Sequence, residues 1–217
     1  MEMMTAREAA ECLGRLSLGR EPARRALLAG VAGPGTRTRG ALLYEAAEVH
    51  AAVERALDPP VPGWADGAAT FVGRVAPRTP EPDRSWRTWR GADLTAPAEE
   101  QLDAVRAWWH LSIWTQVWIG SMSRVKGSFP FIATVSGFVA VGADIVSLDQ
   151  SLNGEAAEML RAKPRARPSY RPALPTAFVL REPGVWFDPL RGRRLGTGPG
   201  GPFSIISSRT LRPTLPD

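Results

Sequence analysis

Three apolar stripes of helical period follow one another between Thr5 and Leu57, and a glycine-rich basic loop separates the second from the third. The segments read TAREAAECLG, REPARRALLAG, GPGTRTRG and ALLYEAAEVHAAVERAL. They confine the front of the chain to a small, mostly helical module. Thr5 is a strong N-cap and Glu8 stands three residues on, the spacing of a capping box. Ala6, Ala9, Ala10 and Leu13 then share one small apolar face, and Gly14 suits the left-handed residue that ends a helix. A second helix is expected to begin between Gly19 and Glu21, because Pro22 fits only a first turn. Ala23, Ala26, Leu27 and Gly30 would face inward, with Arg20, Arg24, Arg25 and Leu28 outside. Gly33-Pro34-Gly35 marks a turn. Arg37 and Arg39 sit at the tip of that loop, and Ala41 to Tyr44 supply its returning strand. Glu45 to Leu57 is amphipathic, with Ala46, Val49, Val53 and Leu57 on one stripe.

The T-x-x-E-A-A-x-x-L-G opening, the Arg24-Arg25 pair, the basic loop and the LYEAAEVHAAV pattern resemble the excisionase and MerR-type winged helix-turn-helix. The resemblance covers the first quarter of the chain. It implies that the second helix enters the major groove of double-stranded DNA and that the loop is a wing. On that reading Arg20, Arg24, Arg25, Arg37 and Arg39 bind DNA, with Arg24 and Arg25 in the groove and Arg37 and Arg39 on the backbone. The chain departs from the family where Glu21-Pro22-Ala23 replaces the usual Ser or Thr, and where Ala26 replaces a bulky aromatic. The exposed face offers only arginines, which favours phosphate contact over base reading. The same residues also fit a three-helix cap with a solvated arginine face.

A chain of 217 residues can bury a sizeable core in one or two domains. The net charge is +5, and Lys126 and Lys163 are the only lysines. From Met1 to Pro60 eight arginines balance eight acidic residues, whereas Gln101 to Asp217 holds fourteen basic against eight acidic. A DNA-binding front must therefore segregate its charges by face. Cys12 is the only cysteine, expected as a buried inert thiol, so no internal disulfide can form. The start of the chain lacks the features of a signal peptide, and a cytoplasmic protein is expected.

Beyond Leu57, Asp58 to Gly63 reads as a helix stop and linker, and Ala68 to Val75 as a short strand. Trp86 and Trp89, set among Arg84, Arg87 and Arg90, fit packing at a core edge or stacking on exposed bases. A helix is expected to start at Thr95, with Pro97 in its first turn and Glu99, Glu100 and Asp103 complementing its dipole. Leu102, Val105, Trp109 and Ile113 would form one face, widened by Trp108, Trp114 and Trp118. The tryptophans suit a core or dimer interface, or a pocket for a small aromatic or cationic ligand. Trp108, Trp114 and Trp118 are the candidate ligand or interface residues, and Leu102 to Ile119 the candidate homodimer surface. Phe129 to Leu148 reads as two buried strands joined by a turn. Its apolar runs are short and punctuated, so no membrane span is expected. Ser151 to Leu160 suggests a short helix. RAKPRARPSYRP reads as a connector or an arm along DNA. Leu174 to Arg181 and Val185 to Phe187 suggest a hairpin, and Phe203 to Ser207 a last strand.

The two histidines, His50 and His110, lack metal-ligand spacing, and no CxxC, HExxH or GxSxG motif occurs. Asp144 and Asp149 could join Glu99, Glu100 and Asp103 around a metal, but nothing requires it. No catalytic residue, cofactor or metal is assigned. The expected architecture is α+β: a winged helix-turn-helix over 1–57, a Pro-rich linker over 58–66, and a domain of unassigned role over 67–217. In that domain a Trp-rich helix would lie on a small, mostly antiparallel sheet. The expected function is a non-enzymatic DNA-binding transcriptional regulator acting as a homodimer. The alternatives are a protein-interaction module of winged-helix shape, or a small-ligand-binding protein.

Overall fold

A computed structural model describes residues 2–57, 68–82, 86–154, 173–196 and 201–207. The expected linker at 58–66, the basic arm from Arg161 to Pro172 and most of the glycine cluster fall outside these residues. The protein is mixed α+β.

The front module runs β1 (Met3–Thr5), α1 (Ala6–Gly14), α2 (Arg20–Leu28), β2 (Thr36–Arg37), β3 (Leu42–Glu45) and α3 (Ala46–Leu57). Its strands form an antiparallel sheet in the order β1-β3-β2. The inward faces are made largely of alanine, so the helices pack closely. Ala9, Leu13, Ala23, Ala26, Leu27, Tyr44, Val49, Ala52 and Val53 form one buried cluster. Cys12 is half-buried, less enclosed than expected, and Leu57 is exposed at the end of its stripe.

The body is built on a five-stranded sheet ordered β11-β9-β8-β4-β12. These strands are β4 (Ala69–Arg74), β8 (Phe129–Val135), β9 (Phe138–Leu148), β11 (Phe178–Arg181) and β12 (Phe203–Ser207). All pairs are antiparallel except β4 with β8, which needs a crossover. That crossover holds β5 (Thr79–Pro80), β6 (Trp89–Arg90), α4 (Ala98–Val105), β7 (Trp109–Leu111) and α5 (Ile113–Lys126). Strand β10 (Leu174–Thr176) pairs with β7. Alternation along the central strands sends Phe71, Phe129, Phe131 and Phe178 to one face with Trp109, and Val72, Ile132 and Val139 to the other with Phe187 and Leu190.

The expected helix from Thr95 through Ile119 does not exist as one element. Asp93 Oδ1 accepts from the Thr95 amide and hydroxyl, so Thr95 lies in a turn ahead of α4. At the far end, the Ala104 and Ala107 carbonyls accept from Arg87, and the Val105 carbonyl accepts from the Trp109 indole at 2.9 Å. Side chains thus satisfy the helix-terminal carbonyls that a longer helix would use itself. Trp109 and Leu111 turn inward from β7 while His110 points out, the alternation of a strand. Ser112 then caps α5, accepting from the Thr115 amide at 3.2 Å. The apolar spacing of Leu102, Val105, Trp109 and Ile113 spans three elements by coincidence, and Ile113 is exposed.

The expected strand from Leu174 to Arg181 is broken at Ala177, whose amide and carbonyl are both taken by the Asn153 side chain. Val185 to Phe187 is a turn leading into a short 3-10 helix, Asp188–Leu190, rather than a returning strand. Of the expected helix from Ser151, residues 150–154 are helical and the rest lies outside the described residues.

Candidate nucleic-acid interface

The capping box forms as its spacing requires. The Thr5 amide donates to Glu8 Oε2 at 2.7 Å, and the Glu8 amide donates to Thr5 Oγ1 at 3.3 Å. The Thr5 backbone and side-chain hydrogen bonds hold the Glu8 carboxyl below its ordinary range. This box fixes the turn between β1 and α1, and β1 is registered on β3 through Met4 opposite Tyr44.

Helix α2 starts at Arg20 with Pro22 in its first turn. Ala23, Ala26 and Leu27 are buried, and Arg20, Arg24 and Arg25 are exposed. Arg24 makes a surface ion pair with Glu21 at 3.5 Å, a contact of little energetic weight. Strands β2 and β3 then form a short hairpin, with Arg37 opposite Leu42. Thr38 closes it: its amide and hydroxyl donate to the Ala41 carbonyl at 2.9 and 3.1 Å, leaving Arg39 and Gly40 at the tip. Arg37 and Arg39 are both exposed.

The balanced charge of the front conceals a separation by element. From Arg15 to Gly40 there are six arginines and one acidic residue, Glu21, and all six arginines are exposed. The remaining acidic residues belong to the start of the chain, α1, β3 and α3. Sequence reasoning missed Arg15, at the end of α1. A charge count confined to the α1–α2 turn, α2 and the hairpin would have found it.

The body reaches this module at several places, Arg194 to the Leu16 carbonyl among them. Ser136 Oγ, in the β8–β9 turn, donates to the Pro22 carbonyl at 2.8 Å. The Leu94 amide donates to the Ala29 carbonyl at 2.8 Å. Phe138 is buried within the front module's apolar cluster. Gly30 permits this docking: its φ is +78°, and a Cβ there would lie 2.9 Å from Thr95 Cγ2.

Of the three candidate tryptophans, Trp114 and Trp118 stand one turn apart on α5, and Trp108 lies elsewhere. Trp108 is half-buried and meets Trp86 edge to face at 6.0 Å. Trp118 meets Phe129 edge to face at 5.2 Å, and Trp114 is exposed. Trp86 is instead covered by two guanidinium groups, Arg87 at 4.4 Å and Arg106 at 5.0 Å from its ring centre. The chain thus supplies its own cations to that ring. Trp89 is buried, and its indole donates to Glu100 Oε2 at 3.3 Å.

The acidic residues considered for a metal are engaged otherwise. Asp144 accepts from Arg181 and Trp186, while Asp149 accepts from the Leu152 amide and pairs with Arg106. Among the described residues no helix is long and apolar enough to cross a membrane. Comparison with protein-family models, curated proteins and solved structures yields no match.

Proposed function

We propose that residues 2–57 are a winged helix-turn-helix that binds double-stranded DNA, and that the protein is a non-enzymatic transcriptional regulator. The observation that carries this reading is the charge placement. In a β1-α1-α2-β2-β3-α3 module of nearly balanced charge, six of its eight exposed arginines, Arg15, Arg20, Arg24, Arg25, Arg37 and Arg39, fall on α2, the turn before it and the hairpin, while Arg7 and Arg55 lie among the acidic residues of α1 and α3. Helix α2 would enter the major groove with Arg20, Arg24 and Arg25, and the hairpin would lie on the backbone with Arg37 and Arg39. The exposed face of α2 carries no Asn or Gln to read adenine. Sequence preference would therefore come from arginine on guanine and from DNA shape. A homodimer would double the few contacts a single module makes. The lone thiol of Cys12 fits work in a reducing cytoplasm.

Fluorescence anisotropy of the full chain with a labelled mixed-sequence duplex, at several salt concentrations, tests the reading. Binding that weakens steeply with salt supports it, and no binding at low salt ends it. Ser136 favours the second reading, a protein-interaction module of the same shape. Its bond to Pro22 places the β8–β9 turn beside the first turn of α2, narrowing what can approach there.

A further inference from the structure

Helix α5 carries most of its apolar side chains away from the core, although Ile119 and Met122 pack inward and the Trp118 ring reaches Phe129 at one edge. It lies against β8 and β9. The residues turned toward the sheet are Thr115, Gln116, Ile119, Met122 and Ser123, of which Ile119 and Ser123 are fully buried. The opposite face presents Ile113, Trp114, Val117, Trp118 and Val125, with Trp114 74% and Val125 82% exposed. A helix that had only the sheet to pack against would place these groups the other way round. Together they expose on the order of 500 Å² of apolar surface, at the upper end of what an isolated monomer leaves to water. That is well over half of the roughly 800 Å² one partner contributes to a standard interface.

We infer that this face is where two copies of the chain associate, α5 packing on α5 in antiparallel fashion about a two-fold axis. The distribution of side-chain size along the stripe selects a second copy as the occupant. The first half is bulky, with Ile113, Trp114, Val117 and Trp118. The second half has smaller apolar groups, with Gly120, Ser121 and then Val125, beside the exposed Arg124. A Cβ at Gly120 would meet nothing within 4 Å, so the outer side there is open to a close neighbour. Antiparallel pairing sets Trp118 opposite Ser121 and Trp114 opposite Val125, so each bulky half fills the partner's small half. This is the self-complementarity that a two-fold contact requires.

Parallel pairing fails on size and on charge. It would stack Trp114 on Trp114 and leave a gap between the Gly120-Ser121 pairs. It would also bring together the Arg124 and Lys126 of both copies, with no acidic residue on α5 to offset them. The antiparallel arrangement separates those cations and opposes the two helix dipoles favourably. The pairing needs no DNA, so it stands or falls independently of the function proposed above.

Light scattering and sedimentation velocity on the full chain without DNA, at high micromolar concentration, should give the mass of a dimer. The double variant Trp114→Glu/Val125→Glu should halve that mass while leaving the far-ultraviolet circular dichroism unchanged. Orientation is read by cross-linking in a Cys12→Ser background. The pair Trp114→Cys/Val125→Cys should yield covalent dimer on oxidation, and Val125→Cys alone should not. A monomeric wild-type chain overturns the inference, whether the face is then found covered by another segment of the chain or bound to lipid vesicles. So does a dimer that survives the glutamate pair, or efficient linkage through Val125→Cys alone. If the glutamate variant does not fold, the cysteine pair decides.

Discussion

Arg194 donates a hydrogen bond from its guanidinium Nη1 to the main-chain carbonyl of Leu16 at 2.6 Å, across 178 residues of sequence. Its guanidinium also lies 5.8 Å from the ring centre of Phe138, which is buried in the front module's cluster. Burial lowers the Arg194 pKa from its ordinary value. Replacing Arg194 by Met keeps the bulk and removes the donor, leaving the Leu16 carbonyl short of a partner. A loss of about 1–3 kcal/mol is expected, read as a lower urea midpoint at unchanged slope.

The wing prediction is electrostatic. Arg37→Gln/Arg39→Gln should weaken binding to every duplex by a similar factor. If each arginine covers one phosphate, the slope of log affinity against log salt should fall by about 1.8. Anisotropy titrations on two unrelated duplexes measure both. An unchanged slope removes the hairpin from the interface and leaves α2 and Arg15 to be tested alone.

The body core is most sensitive at Trp109. Its indole contacts Phe71 and Phe131 edge to face, and a Cβ built on Gly73 would lie 2.3 Å from Trp109 Cη2. Trp109→Ala should cost about 3–5 kcal/mol through cavity formation. Gly73→Ala should cost about 1–3 kcal/mol by overpacking. The double variant should be less unstable than the sum, because removing the ring frees the space the methyl needs. Thermal and urea melts of the three variants give the coupling.

Glu8 contributes to pH dependence with a defined sign. Its carboxyl is lowered below the ordinary value by the Thr5 hydrogen bonds. The contribution is therefore fully present above the unfolded carboxyl pKa of roughly 4.3 and is lost as pH falls through the lower folded value. Thr5→Ala removes the hydroxyl but keeps the main-chain amide, the larger cause, so it should raise the Glu8 pKa only part of the way in an NMR titration and soften the acid limb of stability. An unmoved Glu8 titration in the variant would show that the hydroxyl adds nothing to the main-chain amide.

What could be read from the chain depended on whether the signal was local. The Thr5/Glu8 box, the inward Ala23/Leu27 stripe and a basic loop returning as a strand are set by neighbours a few residues apart and were legible, although Arg37 lies in β2 rather than at the tip and the strand begins at Leu42 rather than Ala41. So were two strands joined by a turn within Phe129 to Leu148, though not that the turn falls at Ser136-Gly137, and the strand at Phe203–Ser207. The break after Val105 was not. It depends on Arg87 and on the Trp109 ring folding back onto carbonyls, and the apolar spacing continued across it undisturbed. The split at Ala177 was hidden for the same reason, since Asn153 acts from 24 residues away. For the candidate site, exposed arginines on α2 and the hairpin were foreseeable. The contact of Ser136 with Pro22 was not, because nothing in either residue's neighbourhood announces the other.

The pairing of β12 with β4 governs the order in which this chain can be completed as it leaves the ribosome. Phe203 to Ser207 runs against Ala69 to Gly73, with Ser207 opposite Ala69, so the strand made last closes over one made more than a hundred residues before. Until then β4 carries an open, hydrogen-bonding flank through Phe71 and Val72, among the most apolar residues of the body. A nascent or truncated chain lacking the final strand would present that flank to any other extended segment. Translational stalling late in the sequence is thus the point of greatest exposure to aggregation. The same register brings Ala69 and Ser207 side by side.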